Sequence, residues 1–470
     1  MRRNGILLPL GAVIIGVVLI AGVSLRAGKS AEVLQNSFVD PPMVSSHNGQ
    51  LVVDLTAARG SYRINGRSFV GMLYNDAYIP PVWRVQPGDA VVVNLHNHLS
   101  EATNLHFHGL GVSPLGNSDN IFVHVEPSKD FNYKIEIPDK HIGLFWFHPH
   151  AHGYVDHQII GGLSGGIIVE GSDRFYPFLK GLTERVMLLK HIPDTRPDWQ
   201  ELVTVNGLVT PKISIRAGEM QFWRIANVGA DLFLKLKIEG MPFYVLATDG
   251  YWLKRPEKTD DMLIGPGQRR EVVVVGGKPG RYAFKSVSFS LEEGQPPLPE
   301  HDLGVLVSDA SPTNVAEAEA RVLAQEVTGR RLIDLVRSSA IARRRTMTFS
   351  RTADKARFFI NGKTFDENRT DVVVKLGDTE EWTVLNADDQ LHNFHIHQTG
   401  FLVTEVNGVP KHLDSLRDTF TLPAAINGKP GEVKILIPFT DPAIIGRFVF
   451  HCHVVKHEDK GMMQTVEVTR

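Results

Sequence analysis

The sequence predicts an all-β protein built from three consecutive β-sandwich domains. Short runs rich in Val, Ile and Phe alternate with turn residues along a chain that contains 42 Gly and 27 Pro, and this alternation is typical of strands joined by tight turns. A length of 470 residues suits three domains of about 100 to 200 residues each. One sequence pattern also occurs three times and divides the chain into its domains.

Residues 1–30 are predicted to form a signal peptide or a membrane anchor. Arg2 and Arg3 precede an apolar run from Ile6 to Leu25, and Arg26 follows it. A run of this length can span a bilayer, and a basic segment before an apolar one is typical of export signals. We therefore expect the rest of the chain to lie outside the cytoplasm, either in a periplasm or anchored to the outer face of the inner membrane.

Each predicted domain contains Asn-Gly, then Gly followed by an acidic residue, and then Asn nine residues after that second Gly. The three copies are Asn65 and Gly66 with Gly88, Asp89 and Asn97; Asn206 and Gly207 with Gly218, Glu219 and Asn227; Asn361 and Gly362 with Gly377, Asp378 and Asn386. The Gly-acid pair predicts a turn, and the alternating run after it predicts a strand with one buried face. We assign domain 1 to residues 35–172, domain 2 to 173–310 and domain 3 to 346–470.

The segment between domains 2 and 3, residues 311–345, is predicted to be a charged helical linker. It is rich in Ala, Glu and Arg, and its apolar residues, such as Leu332, Ile333 and Val336, recur at helical spacing. Such a segment either binds a partner or connects two domains through solvent, and we prefer the connector.

Charge and cysteine content exclude several classes of protein. The net charge is −2, and no stripe of Lys or Arg is present to neutralise a run of phosphates, so nucleic-acid binding is not expected. Cys452 is the single cysteine, which rules out an intramolecular disulfide. Its role must lie in packing or in thiolate chemistry.

Half of the 20 His residues fall into four tight clusters. The clusters are His106 and His108; His148 and His150; His392, His395 and His397; and His451, Cys452 and His453 with His457 and Met462. Two clusters lie in domain 1 and two in domain 3, whereas the corresponding positions of domain 2 hold Leu236 and Ile238. Domains 1 and 3 are therefore predicted to face each other across a metal site, with domain 2 as a spacer. The other ten histidines are interpreted as surface or core residues.

Residues two apart on a β-strand point to the same face. Both imidazoles of each His-x-His pair can therefore face one side, and four such pairs supply eight nitrogen ligands, which suit a cluster of three copper ions. By the same parity Cys452 faces away from His451 and His453. His392 lies three residues before His395, an odd number, so it also faces the side opposite the cluster ligands. Together with His457 and Met462 they form the ligand set of a blue-copper electron-transfer site.

The four clusters resemble the copper-binding signatures of the multicopper oxidase family, in the order of its three-domain, laccase-like bacterial members. The likeness runs from about Gly49 to the C-terminus, and its most specific part is HCHVVKHEDKGMM, which begins at His451. The resemblance implies three cupredoxin-like Greek-key domains and four coppers per chain, one of type 1, one of type 2 and two of type 3.

The resemblance also implies a role for each clustered residue. The type 1 ligands are His392, Cys452, His457 and Met462; the type 2 ligands are His106 and His395; the type 3 ligands are His108, His148, His150, His397, His451 and His453. Glu458 matches an acid that the family uses to deliver protons to oxygen intermediates. Asp119 is the candidate for a second such acid; it lies in the segment GNSDN, whose sequence differs from the family pattern.

The function implied is a laccase-like oxidase that couples one-electron oxidation of a phenol, an aromatic amine or a metal ion to the reduction of dioxygen to water. The alternatives are a metal-ion oxidase and a copper-resistance or copper-sequestration protein of the same fold. A scaffold protein that has lost copper would show gaps in the ligand set, and a copper nitrite reductase would need no type 3 pair. No methionine-rich insert is present, which disfavours a dedicated cuprous oxidase.

Overall fold

The computed structural model describes residues 37–192, 201–290, 297–311, 313–329 and 331–470. The predicted signal peptide or anchor, residues 1–30, lies outside the described residues. Among the helices in the described ranges, none is long and apolar enough to cross a membrane. Six β-sheets pair into three sandwiches that follow one another along the chain.

The first sandwich packs a four-stranded sheet against a five-stranded sheet. Its elements are β1 (Met43–Ser45), β2 (Gln50–Ile64), β3 (Arg67–Tyr74), β4 (Val82–Val85), β5 (Ala90–Asn97), β6 (His106–His108), β7 (Asp130–Glu136), β8 (Gly143–His148), the helix α1 (Val155–Gly161) and β9 (Gly165–Val169). The sheet orders are β3-β2-β5-β7 and β1-β4-β9-β8-β6. Burial alternates along β5, as expected for a strand that faces the core on one side.

The second sandwich contains a six-stranded and a five-stranded sheet. Its strands are β10 (Thr183–Ile192), β11 (Leu202–Val205), β12 (Lys212–Arg216), β13 (Met220–Asn227), β14 (Leu234–Ile238), β15 (Phe243–Thr248), β16 (Tyr251–Thr259), β17 (Asp261–Ile264), β18 (Arg269–Val275), β19 (Gly280–Ser286) and β20 (His301–Asp309). The sheet orders are β11-β10-β13-β18-β15-β16 and β12-β20-β19-β14-β17. All of β18 is buried, because this sandwich packs against other parts of the chain on its outer side as well.

Two short helices occupy part of the predicted linker, α2 (Val315–Leu323) and α3 (Leu332–Ser338). The side chain of Asn314 caps α2 by accepting a hydrogen bond from Ala316 N at 2.9 Å. Ala318 of α2 packs into a cluster formed largely by domain 2, whereas Ile333 of α3 packs against domain 3. Each helix is therefore attached to a neighbouring sandwich along its apolar face.

The third sandwich begins with a strand that starts inside the predicted linker. Its elements are β21 (Ile341–Arg351), β22 (Phe358–Ile360), β23 (Val372–Lys375), β24 (Thr379–Asn386), β25 (His392–Ile396), β26 (Leu402–Val406), β27 (Val409–Pro410), β28 (Thr419–Leu422), β29 (Gly431–Pro438), β30 (Gly446–Cys452), the helix α4 (Val455–Asp459) and β31 (Met463–Thr469). The sheet orders are β22-β21-β24-β29-β26-β27 and β23-β31-β30-β25-β28. The arginines of 343–345 suggest a solvated linker, yet Arg345 pairs with Glu380 across the sheet at 2.6 Å.

The repeated Asn-Gly turns take one backbone conformation in all three sandwiches. Asn65, Asn206 and Asn361 have φ of 48°, 54° and 51°, and the glycine after each is also at positive φ. A two-residue type I′ hairpin turn needs positive φ at both positions, which Asn-Gly tolerates best. The three turns do not occupy the same place in the fold, however: Asn65-Gly66 joins β2 to β3, whereas Asn206-Gly207 and Asn361-Gly362 follow β11 and β22. The residue of domain 1 that matches Asn206 and Asn361 is Asn75, whose side chain makes the same pair of hydrogen bonds to the neighbouring strand.

The strands that carry the predicted metal ligands are equivalent in the repeat. β6 holds the first histidine pair of domain 1, and β25 holds His395 and ends just before His397. β8 and β30 lead into the second pair of their domains. The equivalent β14 carries Leu236 and Ile238, which are buried in the apolar core of the second sandwich. That sandwich keeps the strands and fills the ligand positions with core residues.

Candidate metal centre

The first histidine surface lies where β6 pairs with β8 in domain 1. His106 is opposite His148, and Phe107 is opposite Phe147. Both phenylalanines belong to the apolar core of the first sandwich. Since neighbouring residues on a strand face opposite sides, burial of the phenylalanines directs the histidines to the other side of the sheet.

The second histidine surface lies where β25 pairs with β30 in domain 3. His395 is opposite His451, and Phe394 is opposite Cys452. Phe394 and Cys452 both lie in the core of the third sandwich. The same parity therefore separates Cys452 from its two histidine neighbours.

The two histidine surfaces meet and interleave in a buried cluster of eight imidazoles. The rings of His106 and His397 stack with centroids 3.7 Å apart, and those of His108 and His395 stack at 3.9 Å. His451 Nε2 lies 3.2 Å from His397 Nε2 and 3.3 Å from His150 Nε2. All eight rings are at most 1% exposed. We call this set the eight-histidine cluster; its members are His106, His108, His148, His150, His395, His397, His451 and His453.

Several ring nitrogens of the eight-histidine cluster are buried without a hydrogen-bond partner. They include His106 Nε2, His108 Nδ1, His148 Nε2, His395 Nε2 and His453 Nε2. A buried polar atom without a partner is costly, so eight such nitrogens in one place indicate a site for a group that accepts their lone pairs. Desolvation by burial, reinforced by repulsion between the rings, lowers the pKa of several of these imidazoles well below the usual value. They are therefore neutral, as a metal ligand must be.

In four of these rings, those of His106, His108, His148 and His395, the opposite nitrogen lies beside an oxygen atom. His106 Nδ1 lies 3.0 Å from both carboxylate oxygens of Asp119. His148 Nδ1 donates to the carbonyl of Pro149 at 2.9 Å, and His395 Nδ1 donates to the carbonyl of Asp418 at 2.9 Å. Such contacts fix the tautomer and the orientation of a metal-binding imidazole. The sequence-predicted Asp119 therefore lies in direct contact with a cluster histidine.

Asp418 is a buried acid that the sequence analysis did not single out. Its Oδ1 lies 3.3 Å from His108 Nε2, and its two oxygens accept hydrogen bonds from Arg269 at 2.8 and 2.7 Å. Burial raises the pKa of Asp418 to about 6, against the opposing effect of Arg269. Arg269 belongs to β18, so domain 2 contributes to the support of the cluster. No spacing pattern connects Asp418 or Arg269 to the histidines, and only the fold brings them there.

Glu458, the predicted proton donor, lies on α4 at the edge of the eight-histidine cluster. One carboxylate oxygen is 3.0 Å from His451 Nδ1 and the other is 3.4 Å from His150 Nε2. The side chain is fully buried, and neither oxygen has a partner with hydrogen-bond geometry. Burial raises the pKa of Glu458 to about 7. A carboxyl group in this position can hold a proton beside the cluster.

A second donor set lies on the opposite side of β30. Cys452 Sγ is 3.3 Å from His392 Nδ1 and 3.6 Å from His457 Nδ1, and the two nitrogens are 3.2 Å apart. Ligands bound to one ion at about 2.0 to 2.3 Å lie about 3.3 to 4 Å from one another, so the triangle has the size of a metal site. Burial raises the pKa of the Cys452 thiol to about 12; a bound metal would hold it as the thiolate.

Met462, the predicted fourth ligand of this set, is fully buried in the same core as Cys452. Its backbone carbonyl accepts a hydrogen bond from Cys452 N at 3.1 Å, and its backbone N–H donates to the carbonyl of His457 at 3.0 Å. The turn that follows α4 thus places the backbone of Met462 beside those of Cys452 and His457. Two imidazoles, a thiolate and a thioether favour copper over harder cations.

Three polar residues around the donor set of His392, Cys452 and His457 were not identified from the sequence. Asp388 Oδ2 lies 3.2 Å from His392 Nε2, and Gln390 Nε2 lies 3.0 Å from His457 Nε2. Arg351 pairs with Asp388 at 2.7 Å and also with Asp389. The spacing of four residues between Asp388 and His392 was a weak signal, whereas nothing in the sequence marks Arg351.

Two further histidines, His152 and His157, follow His148 and His150 closely in the sequence. His157 Nε2 lies 2.9 Å from Glu101, and the ring of His152 packs against Phe365. Both contacts lead away from the eight-histidine cluster. His152 and His157 therefore have local partners of their own.

Comparison with known protein families identifies the chain along most of its length. Residues 56–174, 181–306 and 340–470 each match a family model described as multicopper oxidase. The chain belongs to the multicopper oxidase family. Membership in this family implies copper binding, with dioxygen as the electron acceptor and a reduced substrate as the donor.

Individual multicopper oxidases and one differently named protein match over nearly the whole chain. Multicopper oxidase mco of Staphylococcus haemolyticus is 27% identical over 460 residues, which cover 93% of each chain. Cell division protein FtsP of Dickeya dadantii is 25% identical over 94% of this chain and 95% of its own. Among solved structures, a laccase-like multicopper oxidase from the lignin-degrading bacterium Ochrobactrum sp. is 26% identical, covers 92% of this chain and all of its own, and superimposes with a TM-score of 0.75.

These matches confirm the predicted all-β fold of three cupredoxin-like domains in this multicopper oxidase. The family models follow one another in the order of the three sandwiches. The histidine clusters are compatible with the copper that the family binds.

Proposed function

We propose that this protein is a laccase-like oxidase with four coppers per chain, which oxidises phenols or aromatic amines one electron at a time. The observation that carries the proposal is the position of Cys452 on β30, with His392 and His457 on one side and the eight-histidine cluster on the other. When bound, copper would supply one-electron oxidation at the first site and four-electron reduction of dioxygen to water at the second. The rest of the function depends on how the chain holds these two sites.

The division of the ligands among the coppers follows the one that the family resemblance implies. His392, Cys452 and His457, with Met462, would hold the type 1 copper. His150, His397 and His451 form one group of converging nitrogens and would hold one type 3 copper, with His108, His148 and His453 on the other. His106 and His395 would hold the type 2 copper.

The protein offers a short path for electrons between the two sites. Cys452 is bonded through the backbone to His451 and His453, and its carbonyl oxygen lies 3.2 Å from His451 Nδ1. A hydrogen bond there shortens the path from the thiolate to the cluster. We assign Cys452 and His451 to electron transfer on this geometry.

Proton supply is assigned to Glu458. Reducing dioxygen to two waters consumes four protons, and the cluster is buried away from bulk water. Glu458 is within 3.4 Å of two cluster histidines and has no hydrogen-bond partner that would compete for its proton. Asp119 is bound to His106 and also accepts a hydrogen bond from Gln398 at 2.6 Å, so we assign it to positioning that ring rather than to proton delivery.

An organic donor is favoured over a metal ion by the surroundings of the type 1 ligands. Metal-ion oxidation would be helped by free carboxylates near His392, but Asp388 and Asp389 are both paired with Arg351. His457 is 9% exposed and His392 is fully buried, so electrons are expected to enter at His457, whose ring stacks on Phe358 at 4.2 Å. The laccase-like relative from Ochrobactrum sp., described with activity towards lignin model compounds, supports the same substrate class.

A non-catalytic role is the second candidate. The similarity to a cell division protein covers nearly the whole chain, and the same ligands could store copper. A role in cell division or in copper storage would leave the copper-loaded protein without sustained turnover.

We also place the body of the protein outside the cytoplasm, on the basis of Arg2 and Arg3 and the apolar run that follows.

Copper stoichiometry, the visible spectrum and an oxygen-uptake screen test the proposal together. The expected result is four coppers per chain, an intense blue absorption, and oxygen consumption with phenols that exceeds that with ferrous, manganous or cuprous ions. Faster oxidation of a metal ion would replace the substrate assignment. A fully loaded protein that consumes no oxygen with any donor would favour storage or a scaffold role.

A further inference from the structure

We propose that a cleft between the second and third sandwiches, lined by Arg270 and Arg417, binds an organic monocarboxylate with an apolar body. The cleft has a volume of about 380 Å³, within the range of small-molecule sites. Its apolar residues Leu263, Leu391, Val406 and Phe420 pack against the core of the third sandwich, and no proposed copper ligand lines it. This site does not depend on the proposed oxidase activity.

Arg417 is the strongest evidence for a missing anion. The residue is 9% exposed, and its Nε is buried without a hydrogen-bond partner. Within the described ranges, no carboxylate lies within ion-pair distance of its guanidinium, which instead lies over the ring of Phe420 with 5.3 Å to the centroid. A buried charge without a counter-ion is strongly disfavoured, and a carboxylate bound in the cleft would supply one.

Arg270 adds a second buried cation to the same cleft. It is also 9% exposed, and its guanidinium donates to the carbonyl oxygens of Arg269 at 2.8 Å and Leu263 at 3.4 Å. The nearest carboxylate, that of Asp249, is 3.5 Å away and also lies 3.8 Å from Arg269. Asp249 is thus shared between two arginines and does not neutralise Arg417.

The two arginines also repel each other. Burial lowers the pKa of Arg417 to about 10, and the charge of Arg270 contributes to that shift. The attraction of Asp249 and of the exposed Glu257 opposes it only in part. Two cations held together against this repulsion favour an anion between them.

The remaining walls of the cleft determine what kind of anion fits. They are mostly apolar and come from both domains: Leu263 from β17, Val406 from β26, Phe420 from β28, and Leu391 and Pro423 from adjoining turns. The planar fork of an arginine matches a carboxylate through two parallel hydrogen bonds, whereas apolar walls favour an aliphatic or aromatic body over water. A fully hydrated inorganic anion would leave these walls unused.

Binding of hexanoate and benzoate to the copper-loaded full chain tests the proposal. Isothermal titration and thermal unfolding would be measured at constant ionic strength, with sodium sulfate and sodium chloride as reference anions. We expect saturable binding of the carboxylates, a rise in the unfolding midpoint, and at least tenfold weaker binding of sulfate. The affinity should be unchanged after copper removal, since the cleft contains no proposed copper ligand.

Substitution of the arginines locates the site. Arg417→Met should weaken carboxylate binding at least tenfold, and Arg270→Met provides a second test if the first variant does not fold. Arg447→Met is the matched control, because Arg447 also lies over an aromatic ring, that of Phe122, but outside the cleft; it should bind as the unmodified protein does. Three outcomes would overturn the proposal: no saturable binding, equal binding by sulfate, or equal binding by a cleft variant. Loss of binding on copper removal, combined with full binding by copper-loaded Arg417→Met, would place the anion on the metal and would also overturn the proposal.

Discussion

The imidazole rings of His106 and His397 lie stacked 3.7 Å apart with their planes 13° from parallel, although one belongs to the first sandwich and the other to the third. The eight-histidine cluster is thus divided between two domains, and neither domain holds a complete set of ligands. Arg269 of the second domain reaches the same place through Asp418. Copper at this cluster should therefore join all three domains.

Replacement of the single cysteine should separate the two proposed copper sites. Cys452→Ser should abolish the blue absorption and the oxidation of phenols and reduce the copper content from about four to about three, because a hydroxyl is a poor ligand for this soft site. The fold should persist, since the change is a single buried atom, and circular dichroism would check it. Met462→Leu is the matched control, because loss of a weak axial ligand should shift the potential and leave the colour. A blue Cys452→Ser protein would show the type 1 assignment to be wrong.

Asp119 should control copper retention at the eight-histidine cluster. Asp119→Ala removes the carboxylate that holds His106 Nδ1, and loss of such a partner typically costs about 10- to 100-fold in metal affinity or activity. Oxygen consumption and copper content after dialysis against a chelator would fall, whereas the blue absorption of the other site would remain. The exposed Asp139 offers a control, since Asp139→Ala should change neither. Full activity in Asp119→Ala would contradict a positioning role.

Glu458 should be required for the reduction of oxygen and not for the oxidation of the donor. Glu458→Gln keeps the size of the side chain and removes its ability to exchange a proton, and loss of a general acid typically costs about 10² to 10⁴ in rate. Steady-state oxygen uptake should fall by that factor, while anaerobic bleaching of the blue absorption by a phenol should proceed at the original rate. If bleaching slowed equally, Glu458 would act on the type 1 site.

His141 should make the protein sensitive to acid. It is buried in the first domain, and burial lowers its pKa to about 4 from an ordinary value of 6.5. The unfolded chain therefore binds more protons than the folded one between these values, so stability is lost as the pH falls from about 6.5 to about 4. The loss is on the order of 3 kcal/mol.

The variant His141→Gln should remove this part of the acid sensitivity. Urea unfolding at pH 7 and pH 4.5 would measure it as a smaller difference between the two free energies of unfolding. The exposed His47 provides the control, because His47→Gln should leave the difference unchanged. An equal loss of stability in His141→Gln would show that other groups carry the acid sensitivity.

The organisation of the chain could be predicted from the sequence because it is encoded in local patterns. The Asn-Gly turns, the step of nine residues to Asn97, Asn227 and Asn386, and the missing histidines of domain 2 are repeats that need no knowledge of the fold. The separation of Cys452 from His451 depends only on strand parity. These signals predicted three sandwiches and the grouping of the clustered histidines, although the exact ligand roles rested on the family resemblance.

The supports of the site depend on contacts between segments that are distant in the chain. Asp418 and Arg269 meet because β18 of one sandwich packs beside the loop before β28 of another. Arg351 reaches Asp388 because β21 and β24 are neighbouring parallel strands, with Phe349 opposite Asn386. No periodicity records such pairings. The linker boundary was misplaced for a related reason, since Arg343–Arg345 have the charge of a connector but form a strand once Glu380 lies beside them. Local patterns thus determine the secondary-structure elements and the ligand types by themselves. Packing between domains decides which buried charges meet, because the free-energy cost of burying a charge is offset only by a partner that another segment supplies.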